Sequence, residues 1–437
     1  MSNPVLSAYF ESKAPSGVRL AQMKYDEREV KPEAVDVGQG NVLLPTNPAM
    51  QKRMFNLDAP ESPFAKGVIR YSAAAGYKEC RDAFKNILAC QGFNTDKLFF
   101  QVTDGGSAAM ELMILGVCGP AGTSEKPIVM IDPTYTNYIS FARRTGRKTV
   151  TVKRSLTEAG KFSLPSIEEI EAVIKANDPG ALLIIPYDNP TGQLYDYRQI
   201  KSLAALCVKY NMWMVSDEAY RELFYTGGSE LVSIWGLSDM DVPGIEGRRI
   251  SIETASKVWN ACGLRTGAIV TDSPDFNNRA VAEYTSNLCS NVIGQYIFGA
   301  LAHETKEDIA AWCANLRGYY KDIIVKVHDA LMKQEPGLIV SSPDASIYTL
   351  IDVRNIVKPG FDSVEFVLYC ASKGSVECNG VQTTLLLTPL KGFYDIPKGE
   401  MNPGSTQFRI SFVDTPENMM KVPELFVKLL KQYENQR

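Results

Sequence analysis

In SIETASKVWNACGLRTG (251–267), Lys257 stands just beyond the apolar run RISIE, with Thr254 and Ser256 before it and Arg265 eight residues after it. An amine at a strand end is either a solvated cation or a nucleophile toward a carbonyl. Other apolar runs end in equally reactive types. LFFQV (98–102) is followed by TDGGSAAME, so Gly105 and Gly106 open a helix with Ser107 beside them. Such a start is an ordinary turn or an anion site, because free N–H groups and the helix dipole face outward. PIVMI is followed by DPTYTNY, which puts Tyr135 on a loop where its ring packs or stacks on a flat group. ALLIIP is followed by YDNPTG, in which Asn189 serves a turn or offers an amide. WMVS is followed by DEAY, with Asp217 at the strand end and Tyr220 three residues on. A carboxylate leaving an apolar strand caps a helix or seeks a cationic or protonated partner. Arg409 lies inside QFRISFV, and an arginine buried there keeps its charge and needs an anion.

These residues need a scaffold that brings strand ends together. Apolar runs at 98–102, 127–131, 148–152, 181–186, 213–216, 249–253 and 267–271 alternate with helical patterns. Several are continuously apolar, as in strands of a largely parallel sheet buried on both faces. The expected architecture is α/β, with a mostly parallel seven-stranded sheet between helices, and ligands in such sheets sit beyond the carboxyl ends of the strands. After residue 295 one long or once-broken helix is expected, then strands in ASIYTLIDV and QFRISFV, then a closing helix, together a smaller α+β domain. The expected division is an N-terminal segment, 1–47, packing on the small domain, a large domain, 48–310, and a small domain, 311–437.

Bulk properties narrow the function. The 437 residues carry 46 basic and 50 acidic side chains, a formal charge of −4, which leaves no electrostatic footprint for nucleic acid. No apolar run is long enough to span a bilayer, and the N-terminus lacks a signal-peptide pattern. Nine scattered cysteines without a CxxC pair suit reduced thiols in the cytoplasm rather than disulfides or zinc. Two histidines, His303 and His328, both in stretches with a helical pattern, leave little for a Ser/His/Asp hydrolase or a multi-histidine metal site, and no metal is expected.

Taken together, the strand ends offer a phosphate cradle, a stacking aromatic, an amide, a carboxylate with a tyrosine, and a lysine with an arginine. Pyridoxal 5′-phosphate uses such a set: an amine for its aldehyde and a carboxylate for its pyridinium nitrogen. The order and spacing of YSAAAG, GGSAAME, DPTYTNY, DNPTG, DEAY, TASKVWNACGLRTG and FRISF resemble the class I/II aminotransferases, fold-type I pyridoxal-phosphate enzymes, over nearly the whole chain. The resemblance implies that Lys257 carries the cofactor as an aldimine and shuttles the α-proton, and that Asp217 keeps the ring nitrogen protonated. It implies Asn189 and Tyr220 on the phenolic oxygen and Tyr135 on the ring. Gly105, Gly106, Ser107, Thr254, Ser256 and Arg265 would hold the phosphate, and Arg409, with Asn189 and Gly40, the substrate carboxylate. Tyr71 would reach the phosphate of the neighbouring subunit of a homodimer. The implied reaction is transfer of an amino group from an L-amino acid to a 2-oxo acid. A carbon–sulfur lyase or aminocyclopropane-carboxylate-type synthase shares this scaffold, and a non-catalytic effector-binding domain is a more distant alternative. Two features depart from the family pattern. Asn41 stands in GQGN where a bulkier residue is expected, and 284–295 lacks the second arginine of dicarboxylate enzymes, which favours a neutral donor.

Overall fold

The computed structural model describes residues 4–120, 123, 125–226, 231–397 and 399–437; the first three residues of the N-terminal segment lie outside the described residues. Seven strands form the main sheet: β1 (Phe99–Asp104), β2 (Ile128–Asp132), β3 (Thr149–Lys153), β4 (Ala181–Ile184), β5 (Trp213–Asp217), β6 (Arg249–Thr254) and β7 (Thr266–Thr271). Their order is β1-β7-β6-β5-β4-β2-β3. Only β7 runs against its neighbours, pairing antiparallel with β1 and β6; the other pairings are parallel.

Burial explains why these runs are strands. Every residue of β2, β4 and β7 is buried, as is every residue of β5 after half-buried Trp213, since helices cover both sheet faces and leave no polar side to alternate with. The crossovers are well-marked helices. Ser166 and Glu169 form a reciprocal capping box ahead of Ile167–Asn177, and Asp196 with Gln199 does the same for Tyr197–Lys209. Helix α1 (Gly105–Val117) follows β1 directly and buries Met113, Ile114 and Val117 against the sheet.

The C-terminal half begins with helix Val292–Gly299, a 3₁₀ turn at Ala300–His303, and a 29-residue helix, Lys306–Gln334, restarted by a Thr305–Asp308 capping box. That helix is unbroken across 310–311. His328 lies within it, whereas His303 closes the 3₁₀ turn and contacts Glu79, so only one of the two histidines sits in an α-helix. A four-stranded antiparallel sheet contains β8 (Tyr348–Asp352) beside β9 (Gln407–Ser411). The N-terminal strand Glu33–Asp36 pairs in parallel with Val381–Leu386, carrying the backbone of 38–41 to the mouth of the main sheet. Helix Pro416–Glu434 closes the chain. Among the described residues no helix is long and apolar enough to cross a membrane, all nine cysteines are free, and no cluster of metal-ligating side chains occurs.

Candidate active site

The carboxyl ends of β1, β4, β5 and β6 open toward the small sheet, and the side chains singled out by type meet there. Lys257 donates from Nζ to the Gly40 carbonyl at 2.5 Å. A side chain at Gly40 would put its Cβ 2.5 Å from the Tyr348 hydroxyl and 2.9 Å from Lys257 Nζ, so only glycine lets this backbone close over the amine.

Asp217, the last residue of β5, is buried; Tyr138 donates to it at 2.8 Å and the Ala219 N–H at 3.1 Å. Burial pushes its carboxyl up to about 6, against the lowering effect of those two hydrogen bonds. A carboxylate held in this way favours a cation or a protonated nitrogen beside it.

Asn189 links two functions. Its Nδ2 faces the Tyr220 hydroxyl at 3.4 Å, and its Oδ1 accepts from Arg409 Nη1 at 2.9 Å. Arg409 also donates from Nη2 to the Gly38 carbonyl at 2.9 Å, while its buried Nε has no hydrogen-bond partner among the described residues. The guanidinium lies 4.3 Å from the centre of the Tyr348 ring and 5.3 Å from that of Phe393. Neither hydrogen-bonded partner carries charge, so the anion expected from sequence is not a carboxylate bonded to it within this chain.

At the β1–β6 end, Gly105 has φ +72°, and a Cβ on it would meet Arg265 Nη2 at 2.5 Å, so the guanidinium lies directly against the start of α1. Asp104, the N-cap of α1, makes no side-chain cap bond. The first-turn N–H groups, including those at Gly106 and half-buried Ser107, are therefore left for another acceptor. Thr254 and Ser256 share a hydroxyl–hydroxyl bond of 2.8 Å at the end of β6. An uncapped N-terminus, an arginine and two hydroxyls are the donor set for a phosphate. Tyr135, half-buried on its loop, has its phenol pushed up to about 12, mainly by burial and then by the Tyr348 hydroxyl, with Arg409, Asp217 and Arg265 also acting on it. The amine, the buried carboxylate, the orphaned Arg409 Nε and the uncapped cradle fit pyridoxal phosphate.

Tyr71 is the exception among the residues named from sequence. It is 76% exposed, in the extended segment before helix Lys78–Cys90, with exposed Val68 and Ile69 nearby.

Three residues of the site escaped the sequence reading. Tyr348, fully enclosed in β8, has its hydroxyl 2.9 Å from that of Tyr220. Tyr138 holds Asp217; its position three residues after Tyr135, one turn into the helix Thr136–Arg144, was the available signal. Arg154 forms a buried pair with Asp188 and donates to the Pro133 carbonyl at 2.6 Å, which ties the Asn189 loop to the Tyr135 loop.

The sequence pattern of aminotransferase class I and II matches residues 59–421. An aspartate aminotransferase of Streptomyces avermitilis is 25% identical over 289 residues, 66% of this chain and 66% of that protein. The aspartate/prephenate aminotransferase of Thermus thermophilus is 28% identical over 318 residues, 71% of this chain and 76% of that one. Among solved structures, the Thermus thermophilus aspartate aminotransferase with maleate superposes with a TM-score of 0.78 at 22% identity, covering 98% of this chain and 100% of that chain. The N-succinyldiaminopimelate aminotransferase of Mycobacterium tuberculosis superposes with a TM-score of 0.78 at 20% identity, covering 97% and 100%. These two likenesses bear on the fold, which is fold-type I.

Proposed function

The chain belongs to the class I and II aminotransferases, which depend on pyridoxal 5′-phosphate, and on that premise we propose that it moves the amino group of a neutral L-amino acid to a 2-oxo acid, with Lys257 at the reacting carbon. The observation that carries this reading is the meeting, at one sheet edge, of a lysine amine, a buried carboxylate and a buried arginine whose hydrogen-bonded partners are all neutral.

When bound, pyridoxal phosphate supplies an aldehyde that condenses with amines and a ring that accepts the electron pair left on a deprotonated α-carbon. Lys257 would hold the aldehyde carbon of the bound group, and its Nζ would take the proton from the substrate α-carbon. Gly40 O orients that amine between the two tasks. Asp217 would hold a proton on the ring nitrogen, and a cation there would offset the burial that pushes its own carboxyl up to about 6. Tyr220 and Asn189 would orient the ring through its phenolic oxygen, and Tyr135 would pack on the ring. The start of α1 at Gly105, Gly106 and Ser107 holds the phosphate with Thr254, Ser256 and Arg265. Arg409 binds the substrate carboxylate, kept in place by Asn189 and the Gly38 carbonyl.

Exposed Val68, Ile69 and Tyr71 form an apolar stretch suited to a second copy of the chain, with Tyr71 reaching the neighbouring subunit's phosphate site. Nine free thiols suit a reducing cytoplasm.

The neutral donor rests on the lack of arginine in 284–295. The relatives named as aspartate aminotransferases favour a second reading, a dicarboxylate donor. Mixing loaded protein with alanine, leucine, phenylalanine or aspartate, without oxo acid, ranks them by the rate of change in cofactor absorption. Faster conversion of the neutral amino acids is expected; aspartate as the fastest donor replaces this reading with the second.

A further inference from the structure

Tyr348 sits where the two halves of the site meet, and no strand end announces it. In the β8–β9 ladder Tyr348 stands opposite Ser411 and Leu350 opposite Arg409, so Tyr348 and Arg409 are diagonal neighbours on one face of the small sheet. One face of the tyrosine ring lies 4.3 Å from the Arg409 guanidinium. Its hydroxyl is 2.9 Å from the Tyr220 hydroxyl, and the same oxygen and Lys257 Nζ crowd the α-carbon of Gly40. A single side chain thus touches the carboxylate-binding arginine, the ring-orienting tyrosine and the surroundings of the reacting amine.

We infer that Tyr348 is a two-sided positioning residue: its ring holds Arg409 ready for the substrate carboxylate, and its hydroxyl, hydrogen-bonded to that of Tyr220, fixes the Tyr220 phenol beside Lys257. The inference rests on the carboxylate and amine roles proposed above.

The charges around Tyr348 agree with this division. Lys257, Arg409, Asp217, Tyr220, Tyr135 and Tyr320 all act on it or feel it. Burial pushes its phenol up, but the Lys257 and Arg409 cations together with the Tyr220 hydrogen bond outweigh it, and the net direction is below the ordinary tyrosine value. Tyr220 moves the other way, raised first by burial and next by Tyr348.

The two roles separate by substitution. Y348F keeps the ring and removes the hydroxyl; Y348L removes both. Wild type, Y348F and Y348L are loaded with pyridoxal phosphate, and thermal melts establish that each is folded. The first readout is the pH midpoint of the resting cofactor absorption, with no substrate present. The second is the affinity for 3-phenylpropionate, a monocarboxylate without an amine, read from its perturbation of that absorption. Y348F is expected to shift the midpoint by at least about 0.5 pH unit, while binding 3-phenylpropionate within about twofold of wild type. Y348L is expected to bind it at least about fivefold more weakly, the lower range of a desolvated cation–π contact. An unshifted midpoint in Y348F, or wild-type affinity in Y348L, overturns the inference. A wild-type protein that shows no cofactor band and binds no carboxylate instead strikes down the functional reading, and this inference with it.

Discussion

Two buried arginines, Arg221 and Arg409, occupy opposite situations in this molecule. Arg221, 4% exposed, is closed off by anions: both terminal nitrogens meet Glu253 at 2.8 Å, Glu218 lies 3.4 Å from Nη1, and Nε donates to Gln91 at 2.8 Å. Arg409, 6% exposed, has an amide oxygen and a peptide carbonyl as partners, two aromatic faces, and an Nε without a hydrogen-bond partner among the described residues. Burial alone does not separate structure from function, because both guanidinium groups are nearly as buried as a valine. The charge of the partners does. An arginine neutralised within the chain is finished, whereas one held by neutral groups in a cavity still needs an anion.

The comparison is sharpest where it predicts opposite outcomes. R221M leaves Glu218 and Glu253 buried side by side, and should lower unfolding stability by roughly 3–5 kcal/mol, read from denaturant midpoints of the loaded protein. R409L should cost about 100- to 1,000-fold in kcat/KM, yet change stability by less than about 2 kcal/mol, since it removes a charge that no carboxylate hydrogen-bonds. If R409L unfolds the protein while R221M spares it, the distinction between the two arginines is wrong.

Asp217 extends the same logic to an anion. Its folded value, about 6, lies above the ordinary carboxylate range, so its stabilising contribution is complete at low pH and is lost as pH rises through 6. In cofactor-free protein, the stability of D217N relative to wild type should therefore rise between pH 4 and pH 7, by up to about 3 kcal/mol. Loading the cofactor should shrink that rise, because a protonated ring nitrogen favours the charged carboxylate. A pH-independent difference in the cofactor-free protein contradicts the assignment. The smallest effect belongs to S256A, which removes one hydroxyl of the Thr254–Ser256 pair. It should weaken cofactor retention by about 1 kcal/mol, measured by dialysis against phosphate.

The sheet was legible because several of its strands are continuous apolar runs, and each of the seven expected ranges overlaps an observed strand. Strand ends then pointed to Lys257, Asp217, Asn189 and the Gly105–Ser107 turn, where reactive types stand out against apolar neighbours. Tyr348 was illegible for the converse reason. In ASIYTLIDV it is one aromatic among apolar residues, and what it does depends on β9 beside it and on the 38–41 backbone laid over Lys257. The neutral partners of Arg409 were hidden likewise: sequence showed a buried cation, but Asn189 lies 220 residues away and Gly38 371 away. Arg221 illustrates the reverse hazard, as DEAYRE gives no hint that its arginine turns inward to Glu253 at the end of the adjacent strand.

The central claim is that the chemistry is built around the Lys257 amine, and borohydride reduction of the loaded, resting protein tests it most directly. After digestion, the peptide containing Lys257 should carry the mass of the reduced cofactor, and K257A should carry none. Cofactor fixed on a different lysine, or no fixation in a protein that retains the cofactor, contradicts the account.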